Sequence, residues 1–285
     1  MKPVDALDPA EAARLRGVLF DLDDTLLSHG LLTQEAYAAL WRLHDAGLKL
    51  VAVTGRPCGW GYVLAKQWPI SGCVVENGAI YLVRKAMRVE RRDACDAAER
   101  QDRRARLKRL VQVVAQAVPE ARLTDDAAAR QSDVTWDVGE VAILAPERVR
   151  AVIREIELAG ARWSQSSVHL HASFDVDDKA SGAVRFCVRE LGAEAASALV
   201  HFAFIGDSGN DASCFAAFRT TFGVANVRAS IARLSLPPRY VARSAMGEGF
   251  AEVASAILDK RRSPLAPAST LGENHPDFVR KTPAS

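Results

Sequence analysis

The chain has 285 residues, just under two domains at about 150 residues each, and 49% hydrophobic with 25% charged is an ordinary globular balance. That balance excludes a disordered, collagen-like or disulfide-stapled chain. With 37 Lys and Arg against 35 Asp and Glu, the formal charge is +2, so nothing global draws the protein to nucleic acid or to an anionic membrane.

The N-terminal segment MKPVDALDPAEAARL carries Asp and Glu where a secretory signal needs an unbroken apolar core, so the expected location is cytoplasmic. Apolar runs stay far below the ~20 residues of a membrane helix. Val18–Phe20 reads as the first buried strand. Thr33 caps a helix whose Tyr37, Leu40, Trp41 and His44 follow the i, i+3, i+4, i+7 pattern until Gly47 stops it. Leu48–Val53 and Cys73–Val75 read as the next strands. The texture then changes. Leu107, Leu110, Val111, Val114 and Val118 mark one long helix, and Val149, Val152, Ile153 and Ile156 another that Gly160 closes. Candidate strands lie near Val134–Val138, Val141–Leu144 and Val168–Ala172. Ala183, Phe186, Cys187 and Leu191 form a helical stripe ending at Gly192, and Leu199–Ile205 is a late buried strand.

Strands separated by helices of this length predict a parallel sheet built from right-handed crossovers, with ligands outside the carboxyl ends of its strands. The domains predicted are a core of residues 1–85 and 171–260, an inserted α+β unit of residues 86–170, and a tail of residues 261–285, rich in Pro and Ser and with little fixed structure. Between Arg84 and Arg109 eleven basic residues stand against five acidic ones. Without interleaved aromatics this stretch reads as a solvated helix face rather than a nucleic-acid groove. The Cys residues 58, 73, 95, 187 and 214 include no Cys-x-x-Cys pair and read as free thiols of a reducing compartment.

Chemistry concentrates at strand ends. The first strand runs into Asp21, Asp23 and Asp24, whose like charges call for a hard cation such as magnesium, although acidic turns are also common without one. The second ends in Thr54, Gly55 and Arg56, where a hydroxyl and an amide can hold an oxyanion, or where Thr54 simply caps the helix near Pro57. Lys179 stands at a helix start, against the macrodipole, a place better suited to meeting an anion than to stability. The late strand ends in Gly206, Asp207, Ser208, Gly209, Asn210 and Asp211, two acids and an amide in a turn whose glycines permit close approach.

Taken together in chain order, Asp-x-Asp-x-Thr, Thr-Gly-Arg, the Lys and Gly-Asp-x-x-Asn-Asp resemble the haloacid dehalogenase (HAD) superfamily of phosphohydrolases. The long insert between the second and third motifs resembles its type IIB subclass, the Cof-type and sugar-phosphate phosphatases. The resemblance covers residues 17–83 and 172–259 of the core. It implies an α/β fold with a doubly wound, mostly parallel Rossmann-like sheet and an inserted α+β cap domain. It implies that Asp21 is the nucleophile and that Asp23 protonates the leaving alcohol and then activates water. It also implies that Thr54 and Lys179 hold the phosphoryl oxygens. Magnesium would be held by Asp21, Asp207 and the main-chain carbonyl of Asp23, with Asn210 and Asp211 organising the site around it. Asp24 stands where the family usually has Gly, as does Ala180.

Asn77, in the run Glu76-Asn77-Gly78-Ala79, resembles a subclass turn facing the site, and Asn-Gly is equally a hairpin signal. Gly55, Arg56, Asn77 and Asn210 complete the candidate phosphate and substrate set. Specificity is expected from the cap, where the candidates are Arg130, Asp133, Trp136, His169 and His171. Each of these is explained equally by packing or solvation. The two His share one strand face that suits sugar hydroxyls or a polar outer surface. The leading expectation is a magnesium-dependent phosphatase of a small phosphorylated metabolite, a sugar phosphate above all, working through an aspartyl phosphate on Asp21. Its only partner would be that substrate, with no nucleic acid and no membrane. A phosphosugar mutase of the same superfamily and a receiver-like phosphoaspartate signalling protein are the alternatives. Receivers lack both the insert and the Gly-Asp-x-x-Asn-Asp turn.

Overall fold

The structure, a computed structural model, describes residues 1–166 and 168–262. The chain opens with β1 (Lys2–Pro3) and α1 (Pro9–Arg14), then β2 (Gly17–Phe20), α2 (Gln34–Asp45), β3 (Lys49–Val53), α3 (Cys58–Gln67) and β4 (Gly72–Val75). A meander of β5 (Ile80–Lys85) and β6 (Arg88–Asp93) follows. The insert holds α4 (Ala97–Ala117), β7 (Asp133–Asp137), α5 (Pro146–Leu158), β8 (Arg162–Gln165) and β9 (His169–Ser173). The chain returns with α6 (Lys179–Leu191), α7 (Ala195–His201), β10 (Phe202–Gly206), α8 (Ala212–Ala217), β11 (Thr220–Gly223), β12 (Tyr240–Val241) and α9 (Met246–Arg262).

One sheet has nine strands in the order β1-β12-β11-β10-β2-β3-β4-β5-β6. It is parallel from β1 to β4, and β5 and β6 add to it antiparallel. Its central strands are buried along their whole length, as continuous Val, Leu and Phe runs require when helices cover both faces. Phe20, Leu40 and Phe250 belong to the core on one face, and Phe186, Phe204 and Phe215 to the core on the other. Thr33 caps α2 as expected, accepting from the Ala36 amide at 3.3 Å. The buried stripe of α2 is Ala36, Ala39, Leu40 and Leu43 rather than the expected aromatic one, and Trp41 stays exposed. Small Ala side chains let α2 pack closely against α9, a face that a search for large apolar residues passes over.

The smaller sheet is antiparallel in the order β7-β9-β8, with α4 and α5 packed on one face. Period-two alternation sorts β9. Leu170 and Ala172 enter this second core, whereas His169 and His171 point to the opposite face, and all four are buried. The expected insert began at residue 86, but β6 pairs with β5 along its length, which puts Arg88–Asp93 in the larger sheet. We therefore place the insert between Asp93 and Asp178.

Two expected strands differ. Val141–Leu144 is a loop, because the Asp137 carboxylate accepts the amides of Gly139, Glu140, Val141 and Ala142 at 2.7–3.0 Å and coils the chain around itself. Leu199–His201 ends α7, so the late strand starts only at Phe202. The basic stretch is not uniformly solvated either. Arg100 is buried and reaches both Asp93 and Asp175, one on each connection between the two sheets. No cysteine is paired, and no helix among the described residues is long and apolar enough to cross a membrane. The expected tail lies, past Arg262, outside the described residues.

Candidate active site

Three parallel strands end side by side. β2 delivers Asp21, β3 delivers Thr54 and β10 delivers Asp207, all at the carboxyl edge of the larger sheet. From the far side α6 brings Lys179 into the same space, and the short turn after β10 brings Asp211. Lys179 Nζ lies 2.8 Å from Asp21 Oδ1 and 2.7 Å from Asp211 Oδ1, with the ammonium fully buried. The capping of α6 falls to Asp178, which accepts from the Ser181 amide at 2.9 Å, so Lys179 is free to point inward.

Asp21, Asp207 and Asp211 can each place a carboxylate oxygen within 4.8 Å of the others. The electrostatic cost is visible in their acidities. Burial pushes the Asp21 carboxyl up to about 7 against the pull of Lys179. Burial and the neighbouring Asp211 and Asp21 hold Asp207 well above the usual carboxylate range. Burial works against the charge on Lys179, but Asp21 and Asp211 outweigh it and hold its pKa above that of an ordinary lysine. Clustered hard oxygen donors with excess negative charge fit a small divalent cation. Asp211 has its oxygens engaged elsewhere. Its Oδ2 accepts the amides of Asp207 and Ser208 at 2.9 and 3.1 Å while Oδ1 meets Lys179, whereas Asp207 accepts one bond at each oxygen and Asp21 one at Oδ1 alone, which leaves Asp21 and Asp207 more lone pairs for an ion.

Thr54 is fully buried, and its hydroxyl accepts the Arg56 amide at 3.1 Å. It does not cap α3, because the Cys58 amide donates instead to Glu76 Oε1 at 2.9 Å. Arg56 grips the Asp23 carboxylate with Nε and Nη2 at 2.8–3.0 Å and also reaches Glu140 of the insert at 2.8 Å. Asn77 adopts the left-handed φ of 52° in the turn between β4 and β5, and its Oδ1 lies 3.5 Å from Asn210 Nδ2. Gly78 follows at φ 109°, and a Cβ there would strike the Asp178 carbonyl, so the Asn-Gly pair serves both the turn and a close approach to α6. Asp24, in the position of the usual Gly, takes φ 55°, which explains why Gly is the common choice. Ala180 sits within α6 and is buried.

The insert closes over this edge. Arg130 donates to the Gly55 carbonyl at 2.9 Å, and a Cβ on Gly55 would stand 2.9 Å from the His171 ring. Glu76 accepts the amides of Gln131 and Ser132 and the Ser132 hydroxyl at 2.5–3.0 Å, docking the start of β7 onto the core. His169 meets Glu140 at 2.6 Å. Trp136 lies inside the insert's own core, away from the site. Glu76, Glu140, Thr25 and Asn226 are the residues that sequence reasoning left without a role. Thr25 donates to Asp207 Oδ1 at 3.1 Å, while Asn226 donates to Asp207 Oδ2 at 3.0 Å and to the Asp24 carbonyl at 2.9 Å. The threonine of Asp-x-Asp-x-Thr carried a signal for this, but nothing around Asn226 did.

Residues 18–99 match the family model of haloacid dehalogenase-like hydrolases. That stretch, with Asp21, Thr54 and Asn77 in it, is where the chain is similar to these hydrolases. Its fold recurs in solved structures of low identity. A haloalkanoate-superfamily phosphatase from Bacteroides thetaiotaomicron is 18% identical, with TM-score 0.60 over 90% of this chain and 98% of that one. The trehalose-6-phosphate phosphatase C-terminal domain of C. albicans is 11% identical, with TM-score 0.64 over 91% of this chain and 98% of that one. The sucrose-phosphatase of Synechocystis, solved with sucrose and phosphate, is 15% identical, with TM-score 0.58 over 85% of this chain and 98% of that one. No curated protein matches the chain in sequence.

Proposed function

We propose that this protein is a haloacid dehalogenase superfamily member and a magnesium-dependent phosphatase of a small phosphorylated metabolite, most naturally a sugar phosphate. The carrying observation is the buried group of four in which Lys179 spans Asp21 and Asp211 while Asp207 closes it. Lys179 holds Oδ1 of Asp21, which leaves the other oxygen to attack phosphorus as the bond to the leaving oxygen breaks. Lys179 and the Thr54 hydroxyl are placed to steady the phosphoryl oxygens, so positioning and charge supply most of the rate. Asp23 would serve as the acid for the leaving oxygen and the base for the water that follows, with Arg56 holding its carboxylate in position. Asp21, Asp207 and the Asp23 carbonyl would hold magnesium, which offsets the carboxylate charge and draws the phosphate in when bound. The sugar-phosphate class is supported by the trehalose-6-phosphate and sucrose-phosphate enzymes that share the fold. Phosphate release from a phosphosugar panel, with and without magnesium, tests the reading. We expect turnover only with the ion and none in Asp21→Asn, whose amide is no nucleophile, whereas retained turnover in that variant contradicts the mechanism.

A further inference from the structure

The two histidines of β9 face the core from the same side, yet their outer nitrogens have different fates. His169 spends Nε2 on Glu140 at 2.6 Å, and Glu140 in turn holds Arg56. In His171 it is Nδ1 that is engaged, 3.1 Å from both Asp133 Oδ2 and Thr135 Oγ1. Arg130 lies 3.1 Å from each oxygen of Asp133, which favours the ionised, acceptor-only form of that carboxyl. Asp133 therefore takes the Nδ1 proton, and the neutral ring presents Nε2 as a bare acceptor. Among the described residues none bonds to that nitrogen. It would stand 3.1 Å from a Cβ on Gly55, beside the candidate phosphate loop. The same ring lines a cavity of about 70 Å³ with Asn77, Lys179 and Asn210, and with Ser164, its neighbour on β8.

We infer that His171 is a specificity-determining residue whose Nε2 accepts a hydrogen bond from a hydroxyl on the leaving group, near the ester bond. This rests on the phosphatase reading. A fixed acceptor selects a donor, so a carbonyl or carboxylate at that point is rejected and a polyol or sugar carbon is accepted. An ammonium would also donate. However, Asp133, Asp175 and Asp177 of the cavity lining are already paired with Arg130, Arg100 and Arg185, which leaves them little pull on a cation. The cavity is small, which suits a short hydroxylated fragment.

Glycerol 1-phosphate and n-propyl phosphate differ only in their hydroxyls, and phosphate release from each is measured with magnesium for the native protein, His171→Asn and His171→Gln. The Asn variant keeps an amide for Asp133 but withdraws the acceptor from the cavity, whereas Gln returns one. The native ratio of kcat/KM should favour the glycerol ester by about tenfold, the worth of one hydrogen bond. Asn should bring the ratio toward one through KM, and Gln should restore part of it. Reading a ratio cancels any loss of folded protein. A native ratio near one, or an Asn variant with the native ratio, overturns the inference and leaves the phosphatase reading intact. If the native protein releases no phosphate from either ester or from p-nitrophenyl phosphate, the reading falls and the inference falls with it.

Discussion

Asp21 is asked to be two things that burial makes incompatible, an ionised nucleophile and a group without water. Lys179 supplies part of the answer and a divalent cation the rest, which couples the site's metal to its protons. With its carboxyl raised to about 7, the folded metal-free protein keeps a proton that the unfolded chain has lost. This contribution is fully present below the unfolded value of about 4 and is lost as pH rises through about 7. Melting temperatures in EDTA should therefore decline between pH 5 and pH 7, and magnesium should raise them more at pH 8 than at pH 5. An equal gain at both pH values would separate ion binding from these carboxylates. Lys179→Met should cost about 3–5 kcal/mol in chemical denaturation without metal, because it strands two buried carboxylates. These residues were legible in the sequence because each stands just past a strand tip or at a helix start, where backbone geometry leaves little choice of direction. Glu76, Glu140 and Asn226 were not, because their roles depend on which distant loop folds onto them.

At the scale of elements, the insert is fastened to the core by two carboxylates with different jobs. Glu76 is buried and fully engaged, and burial raises its pKa even though four donors stabilise the charge. Glu76→Ala should lower stability by about 2–4 kcal/mol, since it orphans the amides of Cys58, Gln131 and Ser132, and should speed proteolysis at the connections near residues 94 and 174. Unchanged proteolysis would deny the docking role. Glu140 instead shares Arg56 with Asp23 from a loop coiled on Asp137, so closure of the insert and the placement of the Asp23 carboxylate are linked through one guanidinium. β9 adds a pH dependence of its own. Burial, with the charges of Arg130, His169 and Lys179, pushes the His171 ring well below the usual histidine value. The stability this represents is present above about 6.5 and is lost as pH falls, when the unfolded chain takes up the proton first. The difference in melting temperature between the native protein and His171→Asn should therefore be smaller at pH 5.5 than at pH 7.5. The sequence pattern placed both histidines on one face of β9, but only the assembled molecule tells which nitrogen is spent. The apolar run misled at Val141–Leu144, where one side chain, Asp137, overrode the strand propensity of its neighbours.

For the whole molecule, the doubly wound order gathers residues 21, 54, 179, 207 and 211, scattered along the chain, at one sheet edge, and the insert roofs that edge. The parallel sheet followed from the alternation of strands and helices. The β5–β6 extension did not, because Arg88–Asp93 carries too many charges to read as a strand until β5 is there to pair with it. The central claim is that this gathering makes the Asp21 carboxylate a phosphoryl acceptor, and chemical trapping tests it most directly. The native protein is mixed with a turned-over phosphate ester and magnesium, quenched in acid within one turnover, reduced with borohydride and mapped by peptide mass. The account predicts homoserine at position 21 alone, the reduction product of an aspartyl phosphate, and none when the ester or magnesium is omitted. A modified residue at another position, or an unmodified Asp21 while phosphate is being released, would contradict it.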